Sequence, residues 1–123
     1  MSERMRTFVP GEEVAIALGF EYEGDGEIKS VEAVFVREGS GEETVFFGDA
    51  RREVSEGQTA RYVAQLKTRI DPNAAPGEYR CARLSARDRL DDDWDFDAAA
   101  GLDLVVRVER APRRLEITTS EFL

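Results

Sequence analysis

Hydrophobic and polar positions alternate along most of this chain with a period of two, the signature of strands that bury one face. Val14, Ile16, Leu18, Phe20 and Tyr22 alternate with Ala15, Ala17, Gly19 and Glu21. Gly24-Asp25-Gly26 follows and supplies residues that tolerate positive φ, as a tight hairpin requires. The spacing then predicts a returning strand from Ile28 to Arg37, a turn at Gly39-Ser40-Gly41, and a short strand from Thr44 to Phe47. A long strand is expected from Gln58 to Ile70, with Ala60, Tyr62, Ala64, Leu66, Thr68 and Ile70 facing inward. Asp71-Pro72 stops it. Further strands are expected at Glu78 to Asp88 and at Leu102 to Val108, with a first one near Arg6 to Val9.

The only helical signal is a single turn at Asp97-Ala98-Ala99-Ala100, with Gly101 after it. Strands of this length at this spacing predict an all-β fold, a sandwich or barrel of about seven strands. Residues 1–112 are expected to form one domain. Residues 113–123 read as an added edge strand, through Leu115, Ile117 and Thr119, or as a linker.

Two triplets break the alternation. Val34-Phe35-Val36 and Val45-Phe46-Phe47 place large apolar side chains on both faces of neighbouring strands, and Val63 and Val105 also stand at outward positions. A strand that is apolar on both faces needs a cover on the second one. The cover is expected to be the C-terminal segment with Leu115, Ile117, Phe122 and Leu123, or another protein chain, including a second copy. Phe35, Phe46, Phe47 and Val36 are therefore the candidate interface residues, because aromatic anchors usually carry interface energy.

From Asp71 to Cys81 the chain reads Asp-Pro-Asn-Ala-Ala-Pro-Gly-Glu-Tyr-Arg-Cys. This segment resembles the turn into strand F of immunoglobulin-like domains, where a tyrosine two residues before a core position bonds back to the turn. Pro76, Gly77, Tyr79 and Cys81 are the structural residues of that resemblance. With Leu84, Ala86 and Asp88 following, the pattern is similar to bacterial immunoglobulin-like and fibronectin type III-like modules. The resemblance implies an antiparallel, disulfide-free immunoglobulin-like β-sandwich in which the long strand pairs with the one at Val14–Tyr22. Arg69 and Arg61 would then lie opposite Glu13 and Glu21. Between Cys81 and Leu84 the alternation skips one residue, which predicts a β-bulge.

Composition narrows the function. The chain has 123 residues, a length that suits one domain, with 41% hydrophobic and 35% charged residues. A net charge of −9 argues against nucleic-acid binding, which needs a surplus of Lys and Arg. No apolar run reaches the roughly 18–20 residues needed to span a bilayer, and the N-terminus lacks the apolar segment of a secretory signal. A cytoplasmic location is expected if the chain is full length. Histidine is absent, which removes the commonest general base and the usual partner of a Ser or Cys nucleophile. Cys81 is the only cysteine; it is expected to face the core as an inert thiol, with Arg80 and Arg83 nearby as the features that would activate it if exposed. Catalysis is not expected.

Residues 88–97 carry six carboxylates. A hard cation such as Ca²⁺ takes six to eight oxygen ligands, so Asp88, Asp91, Asp93 and Asp95 form a candidate Ca²⁺ site. The spacing lacks the glycine and glutamate of an EF-hand loop, and the alternative is a solvated acidic loop with Trp94 and Phe96 docked on the sheet. Basic residues concentrate in the part of the chain before this stretch, at Arg61, Lys67, Arg69, Arg80, Arg83 and Arg87. They read either as an anion-binding patch or, more simply, as cross-strand partners of acidic residues. The chain as a whole reads as a non-catalytic protein-interaction or spacer module, with self-association as one form of that role.

Overall fold

The computed structural model describes residues 4–24, 26–56, 59–95, 102–110 and 115–123. The expected all-β character holds: no helix occurs among the described residues. Among the described residues eight strands form: β1 (Arg4–Phe8), β2 (Glu13–Glu23), β3 (Ile28–Arg37), β4 (Glu43–Glu56), β5 (Thr59–Arg69), β6 (Gly77–Asp88), β7 (Asp93–Asp95) and β8 (Leu104–Val108). The expected helical turn at 97–100 lies outside the described residues.

Hydrogen bonding runs without a break in the order β1-β8-β6-β3-β4-β5-β2, with β7 added beside β6. This departs from an all-antiparallel pair of separate sheets in two ways. The pair β1–β8 is parallel, from Arg4 opposite Leu104 to Phe8 opposite Val108. And β4 belongs to both halves of the molecule. Its first half pairs with β3, from Glu43 opposite Val36 to Asp49 opposite Ser30. From Phe47 onward it also pairs with β5, from Phe47 opposite Lys67 to Glu56 opposite Thr59. One mixed sheet thus curls almost into a barrel, and its two edge strands, β1 and β2, flank a groove.

Gly48 sits where β4 changes partner. A Cβ at this position would collide with the carbonyl of Gln65 on β5, so only glycine lets the two backbones approach here. The short strand expected at Thr44–Phe47 is therefore the visible start of a strand of 14 residues.

The core forms where the inward positions of these strands meet. Phe35, Phe46, Leu66 and Ile70 are fully buried, with Val14, Val31, Tyr62, Tyr79 and Val108 nearly so. Each such aliphatic or Phe side chain contributes roughly 1.5–3 kcal/mol by leaving water. Ala60, Tyr62, Ala64, Leu66 and Ile70 all face inward as the alternation predicts. The phenol of Tyr62 stacks on Phe20 at 5.4 Å and accepts the buried Ile28 N–H at 3.2 Å. The bulge falls where expected: Val34 lies opposite Arg83 but Phe35 opposite Cys81, leaving Ala82 as the extra residue.

Candidate functional site

Four of the sequence-derived candidates lie at the turn into β6. The Tyr79 hydroxyl donates to the Ala75 carbonyl at 2.8 Å and lies 3.3 Å from the Glu42 carboxylate. Burial, then the negative charge of Glu42, pushes the Tyr79 phenol above its ordinary pKa, so the hydroxyl keeps its proton and the bond persists. The Pro76 carbonyl accepts from Arg37 Nε at 2.8 Å. Gly77 takes φ of 144°, and a Cβ there would meet Arg37 Nε at 2.8 Å. The corner is thus closed from two sides, by Tyr79 within and Arg37 without. Cys81 packs against the core but stays half-buried. Its Sγ lies 3.5 Å from the Arg83 carbonyl, and burial pushes the thiol pKa up, which disfavours the thiolate that nucleophilic chemistry needs.

The four candidate Ca²⁺ ligands do not converge. Asp88 Oδ1 accepts the backbone N–H groups of Leu90 and Asp92 at 2.9 and 3.0 Å, an Asx-type closure of the turn. Asp91, at a positive φ of 63°, receives Lys29 Nζ at 3.3 Å. Asp93 forms a two-point pair with Arg87 at 2.7 and 2.9 Å. That hydrogen-bonded guanidinium holds the Asp93 carboxyl below the usual carboxylate range. Asp95 lies opposite Ser85, on the strand β7. Among the described residues no group of three or more Asp, Glu or Cys side chains could hold a metal ion. Asp88, Asp91 and Asp93 are each engaged by their own turn or by a neighbouring cation. The side chain of Trp94 and all of Phe96 lie outside the described part.

Four members of the basic patch, Arg61, Arg69, Arg80 and Arg87, pair with acidic residues. Glu13 stands opposite Arg69 and Glu21 opposite Arg61 in the β2–β5 ladder, with ion pairs at 3.7 and 3.5 Å. Arg80 reaches Glu38 at 2.9 Å. The two β2–β5 pairs are largely solvated, so they serve register more than stability.

The over-apolar strands divide between two destinations. Phe35 and Phe46 meet in the core, ring centroids 4.8 Å apart, and neither is exposed. They are corrected from interface anchors to core residues: pairing puts Ala33 opposite Phe46 and Phe35 opposite Thr44, on the inner side of the curl. The intervening positions face out. Phe47 is 55% exposed and Val45 42%, while Val36 is partly covered. Val34 and Val105 are buried yet stand apart from the core cluster, so the outer face of this region is indeed apolar. The segment expected to cover it does not. Residues 115–123 form no strand, and Leu115, Ile117, Phe122 and Leu123 are exposed.

The ladder orders this outer face into cross-strand rows. One runs Val36, Arg80, Val105, Met5; the next runs Val45, Val34, Arg83. Below them come Phe47, Glu32, Ser85, Asp95 and then Asp49, Ser30, Arg87, Asp93. The two lower rows line an open groove of about 440 Å³ bordered by Phe47, Arg83, Ser30 and Glu32. β7 builds its far wall. Sequence reasoning missed this wall because three residues inside an Asp-rich stretch give no strand period. The arrangement offers an exposed ring beside carboxylates and guanidinium groups on a rigid sheet, which suits binding.

Compared with known proteins, the chain matches no family model, no curated protein and no solved structure. Among the described residues no helix is long and apolar enough to cross a membrane.

Proposed function

We propose that this chain is a non-catalytic protein-interaction module that docks a partner on the outer face of β3, β4, β6 and β7. The observation that carries the reading is Phe47: a large aromatic side chain, 55% exposed, on a strand whose neighbouring Phe46 is fully buried. Exposed rings at the border of an apolar row and a charged groove are common anchors of binding surfaces. Glu32, Asp93 and Asp95 line the groove with Arg83 and Arg87, and Asp93 already engages Arg87. The partner of best fit presents an apolar side chain flanked by Lys or Arg. The lack of histidine and the raised Cys81 thiol support binding over catalysis.

We read the fold as immunoglobulin-like in its broad sense. The antiparallel β2–β5 pair, the β3–β6–β8 run and the Tyr79-to-Ala75 bond support that reading. The strand β4, shared by both halves, is what would distinguish it from a sandwich of two separate sheets.

A photoreactive phenylalanine analogue tests the docking face. Placed at position 47, it is expected to give one discrete adduct in the cells that make the protein. Placed at position 61, on the β5 surface, it is expected to give none. Equal labelling from both positions would refute a dedicated face.

A further inference from the structure

The two edges of the sheet differ in how they are protected. β1 is a short edge of five residues carrying Arg4 and Arg6. β2 is an edge of 11 residues, paired on its other side with β5 from Glu13 to Glu23 without a register shift. Among the described residues it pairs with no other strand. Edge strands are normally blunted by a bulge, a proline, a lysine or a cover, because a long regular edge invites another strand. β2 has no proline, lysine or bulge. Its outward side chains at the centre are Ala15, Ala17 and Gly19, so nothing bulky guards it. Beside it lies a groove of about 390 Å³ whose walls include Val14 and Ile16 on the β2 side of the gap and Arg6, Phe8, Leu104 and Val106 on the β1–β8 side.

Segment 115–123 has the complementary property. Leu115 and Ile117 keep the alternation of a strand, yet they are 90% and 78% exposed. Burying each would contribute roughly 1.5–3 kcal/mol. We infer that segment 115–123 of a second copy adds as a strand to the β2 edge, its Leu115 and Ile117 entering the groove beside Val14 and Ile16.

Polarity favours a second copy over the segment's own chain. Arg110 bonds to the Pro72 carbonyl at 3.1 Å, and Ile70 is bonded to Gly11 and Glu12. The chain therefore leaves the molecule at the end where β2 begins. Folding back on its own domain, it would run parallel to β2. A second copy can approach antiparallel, the more stable pairing, and an exchange across a two-fold axis lets each copy give and receive one strand. This surface is separate from the face around Phe47, so either reading can fail alone.

Light scattering after size exclusion tests the exchange. The full chain is expected to shift from monomer to dimer as concentration rises, and Ile117→Asp, at an exposed position, is expected to hold it monomeric with the melting curve of the dilute, monomeric wild type. In a Cys81→Ala background, a copy with Ala15→Cys mixed with a copy carrying Glu116→Cys, opposite each other in the antiparallel register, is expected to oxidise to a linked dimer. A monomer at every concentration would overturn the inference. So would a dimer that survives Ile117→Asp but dissociates with Phe47→Ser, or an internal disulfide when both cysteines share one chain.

Discussion

Phe46 and Phe47 are neighbours with the same side chain, and the pairing of β4 sends one into the core and the other into solvent. Their truncations should differ accordingly. Phe46→Ala leaves a cavity against Phe35 and is expected to cost about 3–5 kcal/mol. Phe47→Ala is expected to change stability by less than about 0.5 kcal/mol. Urea unfolding of both variants measures the difference. Tyr79 offers a finer probe, since its hydroxyl bonds the Ala75 carbonyl at 2.8 Å. Tyr79→Phe removes that bond with the ring in place and is expected to cost about 1 kcal/mol in the same measurement. The Tyr79 contact could be anticipated from the sequence because it follows from a fixed local spacing. The division between Phe46 and Phe47 could not: two adjacent apolar residues carry no mark of which parity faces in, and only the partner strand decides.

At the scale of elements, the pattern located β2, β3, β5 and β6 to within a residue or two: β2 and β5 alternate over 11 positions, while β3 shows as an apolar run bounded by turns. It missed the second half of β4, where Asp-Ala-Arg-Arg-Glu offers only Ala50 to the core and charge hides the period. It also missed β7, too short to show one. The candidate site suffered from both gaps, since Phe47 stands on β4 and the groove wall is β7. Gly48 is the residue on which the shared strand depends. Gly48→Ala would press a methyl group onto the Gln65 backbone, and overpacking of this kind is expected to cost at least about 1–3 kcal/mol. A fall in the urea midpoint checks it; an unchanged midpoint would show that β4 does not approach β5 as closely as described.

For the molecule as a whole, many acidic residues are engaged in turns and ion pairs. Carboxylates of the 88–95 loop close their own turn or pair with Lys29 and Arg87, and no three of them gather. A ligand that binds only the native state must raise its melting temperature. Millimolar Ca²⁺ is therefore expected to leave the melting temperature where equal ionic strength of NaCl puts it; a further rise specific to Ca²⁺ would restore the metal reading. What sets this sheet apart is its outer face, which exposes Val45 and Phe47 and is grooved below Phe47. The most direct test places the photoreactive group at position 45, beside the proposed anchor, and compares the chain with and without Phe47→Ser. Docking on this face predicts a discrete adduct that disappears with Phe47→Ser while the urea midpoint stays unchanged. An adduct of undiminished yield in the folded variant would contradict it.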